Sequence, residues 1–265
     1  MKVLDEAMDQ CLLCIDYAFD QDSPTNREVS LRRLQPGIRQ KEWWRYDHVY
    51  RGLRTLVAYR GSRAVGHIEF MPIEYAPRPV VGQHLAFINC LYVAPEARGR
   101  GVGAGLLEAA EQEARKQTDG MAVIARWSGP GVPAHFFTAF GYQPAASREG
   151  DALLNKPFGR AASPHFLPLR HIPRQGGERI AVDFFHCPQC PYSGWVLDRL
   201  QREGEFAGPD IDLRLIDTGE REAVERWGVA NTVYIDGRPH GSVPLNLLTI
   251  EKGLAQARAA RPAAA

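Results

Sequence analysis

Two short stretches of this chain hold residues whose types and spacing can do chemistry. The first is Arg98-Gly99-Arg100-Gly101-Val102-Gly103, followed by Ala104. Backbone amides converge on phosphate oxygens only where side chains stay out of the way, and Gly99, Gly101 and Gly103 permit that approach. A helix starting at the same point adds the positive end of its dipole, so a pyrophosphate is the expected guest. A P-loop would end in Gly-Lys-Ser or Gly-Lys-Thr, which this run lacks. A dinucleotide loop can be forced onto Gly99, Gly101 and Ala104, yet residues 94–98 separate the glycines from the preceding strand, and such units normally set strand and glycines in tight succession. A flexible glycine turn is the bland alternative.

The second stretch is Cys187-Pro188-Gln189-Cys190. A CxxC that follows a buried strand and opens a helix is expected to expose its first thiol to the helix dipole, lowering its pKa. Cys187 is then the nucleophile and Cys190 the resolving thiol. Three uses stay open: dithiol redox exchange, capture of a soft metal or metalloid with His186, and a structural pair. A closed structural zinc site is not expected, because no second Cys pair follows nearby, and no metal ligand set is assigned. Cys11 and Cys14 lie one helical turn apart and read as semi-buried helix residues. Cys90 reads as core.

The elements that must position these stretches follow from periodicity. Residues 1–51 read as helical and connecting segments, with an aromatic group (Trp43, Trp44, Tyr46, Tyr50) that either covers a core or walls a pocket. Residues 55–60, a Gly61-Ser62 turn and residues 64–70 form a hairpin signature. Residues 85–93 are nearly continuous in apolar character and predict a strand buried on both faces. After the glycine loop, Val102, Leu106, Leu107, Ala110 and Ala114 mark a helical stripe, with Lys116 near its end and Gly120 as its stop. Residues 121–125 return as a strand. Strand, helix and strand in that order predict a parallel pair.

Residues 157–177 hold four Pro and three Gly without periodicity and read as an interdomain linker. A second α/β pattern begins beyond it. It has strands at 180–185, 211–216, 232–235 and 240–243, a helix through Leu200, another near 220–227 and a final helix before a low-complexity tail at 259–265. The expected organisation is a first domain over 1–158, a linker over 159–178 and a smaller domain over 179–265.

Composition limits what such a chain can do. Of 265 residues 45% are apolar and 24% charged, which is enough for packed cores, and the net charge of +1 gives no electrostatic reason to expect nucleic acid or an anionic membrane as partner. The longest apolar runs are strand-sized, far below the ~20 residues that span a bilayer. Five Cys and no charged-then-apolar leader argue for a reducing compartment, the cytoplasm. Oligomeric state leaves no trace in these patterns.

Arg98-x-x-Gly101-x-Gly103 after Leu91-Tyr92-Val93-Ala94-Pro95 resembles the coenzyme A motif of the GNAT acetyltransferase superfamily. The later segment Phe136-Phe137-Thr138-Ala139-Phe140-Gly141-Tyr142 is similar to that superfamily's aromatic-Gly-aromatic segment. Ile68-Glu69-Phe70-Met71-Pro72, Ile88-Asn89-Cys90 and Cys11-x-x-Cys14, with a thiol-bearing second domain, resemble the YoaP-type acetyltransferases. The layout of 180–261 resembles a thioredoxin-like fold, although Asn231 stands where that fold carries a cis-Pro. The resemblance implies an α/β architecture: a GNAT-like mixed sheet with flanking helices plus a smaller thioredoxin-like α/β domain.

It also implies an acetyl-CoA donor lying along 88–93. Leu91, Tyr92 and Val93 would hold the pantetheine and polarise the thioester, and Arg98, Gly99, Arg100, Gly101, Val102, Gly103 and Ala104 would hold the pyrophosphate. Transfer to the amine of a small molecule or peptide needs a base, an oxyanion site and a proton for the thiolate. Glu69 is the candidate base and Glu74 the second choice, with His67 on the same side of the strand. Where many members carry a Tyr acid the matching residue is Phe137, so water or Tyr142 substitutes, or the thiolate leaves unassisted. The competing function is a thiol-disulfide or metalloid-handling protein whose first domain only binds coenzyme A.

Overall fold

The computed structural model describes residues 24–128, 133–202, 208–240, 245 and 247–261. Helix α1 (Pro24–Val49) leads into the hairpin β1 (Arg54–Arg60) and β2 (Arg63–Pro72), then the short β3 (Val80–Val81) and β4 (Leu85–Val93). Helix α2 (Val102–Ala114) returns the chain to β5 (Gly120–Arg126), and α3 (Ala134–Ala139), β6 (Gln143–Arg148) and β7 (Asp151–Pro157) complete a six-stranded sheet in the order β1-β2-β4-β5-β7-β6. Only β4 and β5 run parallel within it, as the strand-helix-strand pattern predicts. Helix α2 ends at Ala114, earlier than the glycine stop suggests. Gly120 instead opens β5, where a Cβ would lie 2.8 Å from the Lys156 carbonyl oxygen.

The period of two along β2 sorts its residues between two cores. Ile68 and Phe70 join Ala86, Ile88, Leu106, Leu107 and Ala110 under α2. Met71 faces the other way, with Phe87, Leu153 and Trp44 of α1. Each fully buried Leu of α2 contributes ~1.5–3 kcal/mol.

A second sheet has the order β10-β9-β11-β12, built from β9 (Ile180–His186), β10 (Ile211–Asp217), β11 (Thr232–Ile235) and β12 (Arg238–Pro239). Strands β9 and β10 are parallel, and β11 runs antiparallel to β9 and to β12. Helices α4 (Pro191–Arg202), α5 (Arg221–Trp227) and α6 (Leu247–Ala259) surround it. The strand expected at 240–243 falls mostly outside the described residues, as do Cys11 and Cys14.

The segment read as a linker is a strap, docked along much of its length. His165–Phe166 forms β8, which pairs with β3. Arg148 donates to the Leu167 carbonyl at 3.0 Å, and His171 donates its amide to the Trp227 carbonyl at 2.9 Å. Buried Asp183 on β9 binds Arg174 of the strap at 2.7 Å and Arg214 at 2.8 Å. Helix α1 ties the units together a second time: Ile38 packs into the second core beside Val196 and Phe184, while Trp44 packs into the first. The α1–α4 crossing is close because Gly37 meets the backbone of Pro191, and a Cβ on Gly194 would lie 2.6 Å from the Gly37 Cα.

Candidate active site at the joint of the two units

The central sheet parts in the middle. Strands β4 and β5 pair from Leu85↔Gly120 to Ile88↔Val123 and no further. Beyond that point β4 stays with β2 as far as Val93, and β5 stays with β7 as far as Arg126. The inner edge of β4 from Asn89 to Val93 is therefore a strand edge without its ladder partner, able to pair with an extended ligand. A register break puts Glu69 opposite Cys90 and Phe70 opposite Ile88, so Asn89 is the extra residue of a bulge at the point of parting.

This open edge ends at the glycine loop. Gly99 (φ 69°) and Gly101 (φ 78°) take the left-handed conformation that glycine tolerates best. A Cβ on either would meet no protein atom within 4 Å. Gly101 is the N-cap of α2 and no side chain caps it, so the first amides of the helix face outward from an exposed loop. Arg98 turns its Nε back to the Val93 carbonyl at 3.0 Å, tying loop to strand. Leu91, Tyr92 and Val93 thus lie along the open edge and Arg98, Gly99, Arg100, Gly101, Val102, Gly103 and Ala104 at its mouth. The phenol ring of Tyr92 is packed against Val57.

Glu69 is not the solvated strand carboxylate that its residue type suggests. It is fully buried, and Lys41 and Gln189 contact it directly. Lys41 Nζ from α1 lies 3.0 Å from Oε2. Gln189 Nε2, in the middle of the CxxC, donates to Oε1 at 2.6 Å. Arg78 in turn donates to Gln189 Oε1 at 2.8 Å and to the Asn89 carbonyl at 3.3 Å. Residue type alone flags none of Lys41, Arg78 and Gln189, since their partners are remote in the chain. Glu74 serves elsewhere, accepting the His84 amide at 2.8 Å in an exposed turn. His67 does share the face of Glu69, pairing in register with Tyr92.

The thiols depart from expectation. Cys187 is wholly buried rather than exposed, and burial pushes its pKa up to about 11, with the nearby Arg78 guanidinium offsetting only part of the cost. The Arg78 Nη1 to Cys187 Sγ distance is 3.9 Å. Burial also raises Cys190, whose electrostatic neighbours are Cys90 and Lys41. The register places Asn231, just before β11, beside the end of β9. It sits at φ 50° with both side-chain polar atoms buried and without a hydrogen-bond partner among the described residues. Among those residues no three His, Cys, Asp or Glu side chains are grouped to hold a metal ion.

Tyr142 is also corrected as a proton donor. Its hydroxyl lies inside the first core, 3.6 Å from Met121 Sδ, and its ring packs edge-on against Phe137 at 5.3 Å. Burial, and then the adjacent Glu111 carboxylate, raise its pKa, which makes it a weaker acid.

Residues 17–142 match the model of the Acetyltransferase (GNAT) family. Over 220 residues the chain is 24% identical to the uncharacterized N-acetyltransferase YoaP of Bacillus subtilis (strain 168), covering 79% of this chain and 84% of that protein. Among solved structures, the paia N-acetyltransferase of Thermoplasma acidophilum in complex with coenzyme A is 16% identical, with a TM-score of 0.38 over 59% of this chain and 96% of that one. A GNAT family acetyltransferase from Brucella melitensis in complex with acetyl-CoA is 15% identical, with a TM-score of 0.39 over 61% of this chain and 87% of that one.

Proposed function

We propose that this acetyltransferase, whose donor is acetyl-CoA, delivers the acetyl group directly to an amine of a small molecule or peptide. The observation that carries the reading is the parting of β4 from β5 beyond Ile88, which leaves an edge of β4 that β5 does not cover running into the glycine loop. Pantetheine amides would complete the ladder along Leu91, Tyr92 and Val93. The pyrophosphate would rest on the uncapped amides of residues 99–104, and the thioester carbonyl would accept from the β4 backbone. Glu69 is the base that takes the proton from the attacking amine, a role that contributes about 100-fold or more. With Phe137 apolar and Tyr142 committed to the core, the thiolate leaves without a side-chain acid, which its pKa near ~8.5 permits.

The second unit reads as thioredoxin-like, supported by its strand order and by a CxxC at the end of its central strand. Cys187 as nucleophile and Cys190 as resolving thiol would act when this unit is lifted from the first, since burial holds Cys187 protonated in the docked arrangement. No described helix is long and apolar enough to cross a membrane. Calorimetric titration with acetyl-CoA, paired with product detection over an amine panel, tests the reading. Binding with transfer is expected. Binding without transfer overturns it in favour of a thiol-handling protein that holds coenzyme A, and no binding overturns both.

A further inference from the structure

Resting on the acetyl-CoA reading above, we propose that Lys41 is an acetyl acceptor within the protein itself, a site of self-acetylation. Its amine is held against the candidate base, with Nζ 3.0 Å from Glu69 Oε2, and its side chain is 2% exposed. Glu69 lies opposite Cys90 in the β2–β4 register, one residue before Leu91, where the proposed donor edge of β4 begins. Lys41 and Cys90 are both electrostatic neighbours of Cys190. Amine, base and open strand edge are the three parts that acetyl transfer requires.

The choice of residue points the same way. The chain has 27 Arg and 5 Lys. Its other ion pairs fall mainly to Arg, including Arg174 and Arg214 on buried Asp183 and Arg261 on Asp236. Arg forms the better buried pair, being planar and permanently charged, whereas only Lys yields a neutral amine nucleophile. Among the described residues, a Lys in a Lys/Arg–carboxylate pair with both side chains this buried is the exception in an Arg-rich chain, and nucleophilic chemistry explains it.

The step balances. Lys41 passes one ammonium proton to Glu69, and the freed lone pair attacks the thioester carbonyl carbon. The C–N bond forms as the C–S bond breaks. The second proton lost from nitrogen ends on the coenzyme A sulfur, and the Glu69 proton goes to solvent. The amide is neutral, so the Lys41–Glu69 ion pair is lost. Glu69 keeps Gln189.

The test is incubation of the full chain with acetyl-CoA carrying a deuterated acetyl group, followed by tandem mass spectrometry of the peptide bearing Lys41. Labelling of Lys41 is expected at a first-order rate independent of protein concentration, about 100-fold above Lys116 and Lys252, which report uncatalysed acetylation. Glu69→Gln is expected to remove that advantage. If it does not fold, Glu69→Asp, which keeps the charge but withdraws it by one methylene, should cut the rate about tenfold. Equal labelling of all lysines, or no label on Lys41 while panel amines are acetylated, overturns the proposal and leaves the enzyme reading intact. Failure to bind acetyl-CoA at all overturns that reading instead.

Discussion

The glycine loop and the thiol loop both lie where a strand hands over to a helix, yet they end in opposite environments. Residues 98–101 are exposed and no side chain caps the start of α2 at Gly101, which leaves its first amides ready for an anion, whereas Cys187 is buried beneath Arg78 and its pKa is raised. A helix start helps an anionic group only to the extent that desolvation does not outweigh it. At the glycine loop solvent is present and the dipole is unopposed. At the CxxC the docked first unit removes solvent, and burial wins.

Glu69→Gln should show the largest effect, because it acts where the two regions meet. Acetyl transfer is expected to fall about 100-fold or more, with loss of the acid limb of the pH–rate profile, and an unchanged profile would remove Glu69 from the mechanism. The same change leaves the Lys41 charge buried without its counterion, which costs about 3–5 kcal/mol when such pairs are broken. A fall in Tm should accompany the loss of rate.

Gly37→Leu should break the joint and spare the loop. A side chain there runs into the Pro191 backbone, an overpacking cost of about 1–3 kcal/mol. The measurable consequence is faster reaction of Cys187 and Cys190 with a disulfide reagent, while acetyl-CoA affinity is retained. Gly101→Ala should do the reverse. Its φ of 78° penalises any L residue, though its Cβ would meet no protein atom. The left-handed strain of about 1–2 kcal/mol corresponds to roughly tenfold weaker acetyl-CoA binding if it is relieved by moving the loop, with thiol reactivity unchanged.

The same contrast explains what could be read from sequence. Hairpin, parallel pair and glycine loop follow from alternation, helical spacing and glycine placement, all local signals, and they appear where expected. The parting of β4 and β5 leaves no such signal, because residues 89–93 and 124–126 still look like ordinary strand. The network around Glu69 is less legible again, since Gln189 reaches it across 120 positions and Lys41 comes from a helix that serves two cores. How far the linker docks is not legible locally: Pro and Gly describe backbone stiffness and turns, while Arg148, Asp183 and the Trp227 carbonyl hold the segment down.

Acid should loosen the joint before the parted strands β4 and β5, with the smallest effect of the four. His48 on α1, His171 in the strap and His186 before Cys187 all have pKa values lowered from 6.5, burial being the largest cause in each. His48 also bonds the Trp44 carbonyl at 2.8 Å, and His171 packs on Phe185 and Tyr234. Below 6.5 the unfolded or undocked chain binds protons that the docked form refuses, so stability is present above that value and is lost as pH falls through the folded-state pKa values. Scanning Tm and thiol reactivity downward from neutral pH should show Cys187 becoming reactive before acetyl-CoA binding weakens. Simultaneous loss of both would mean that strap, thiol loop and the parted strands β4 and β5 unfold as one unit and that the difference between the two regions is confined to solvent access.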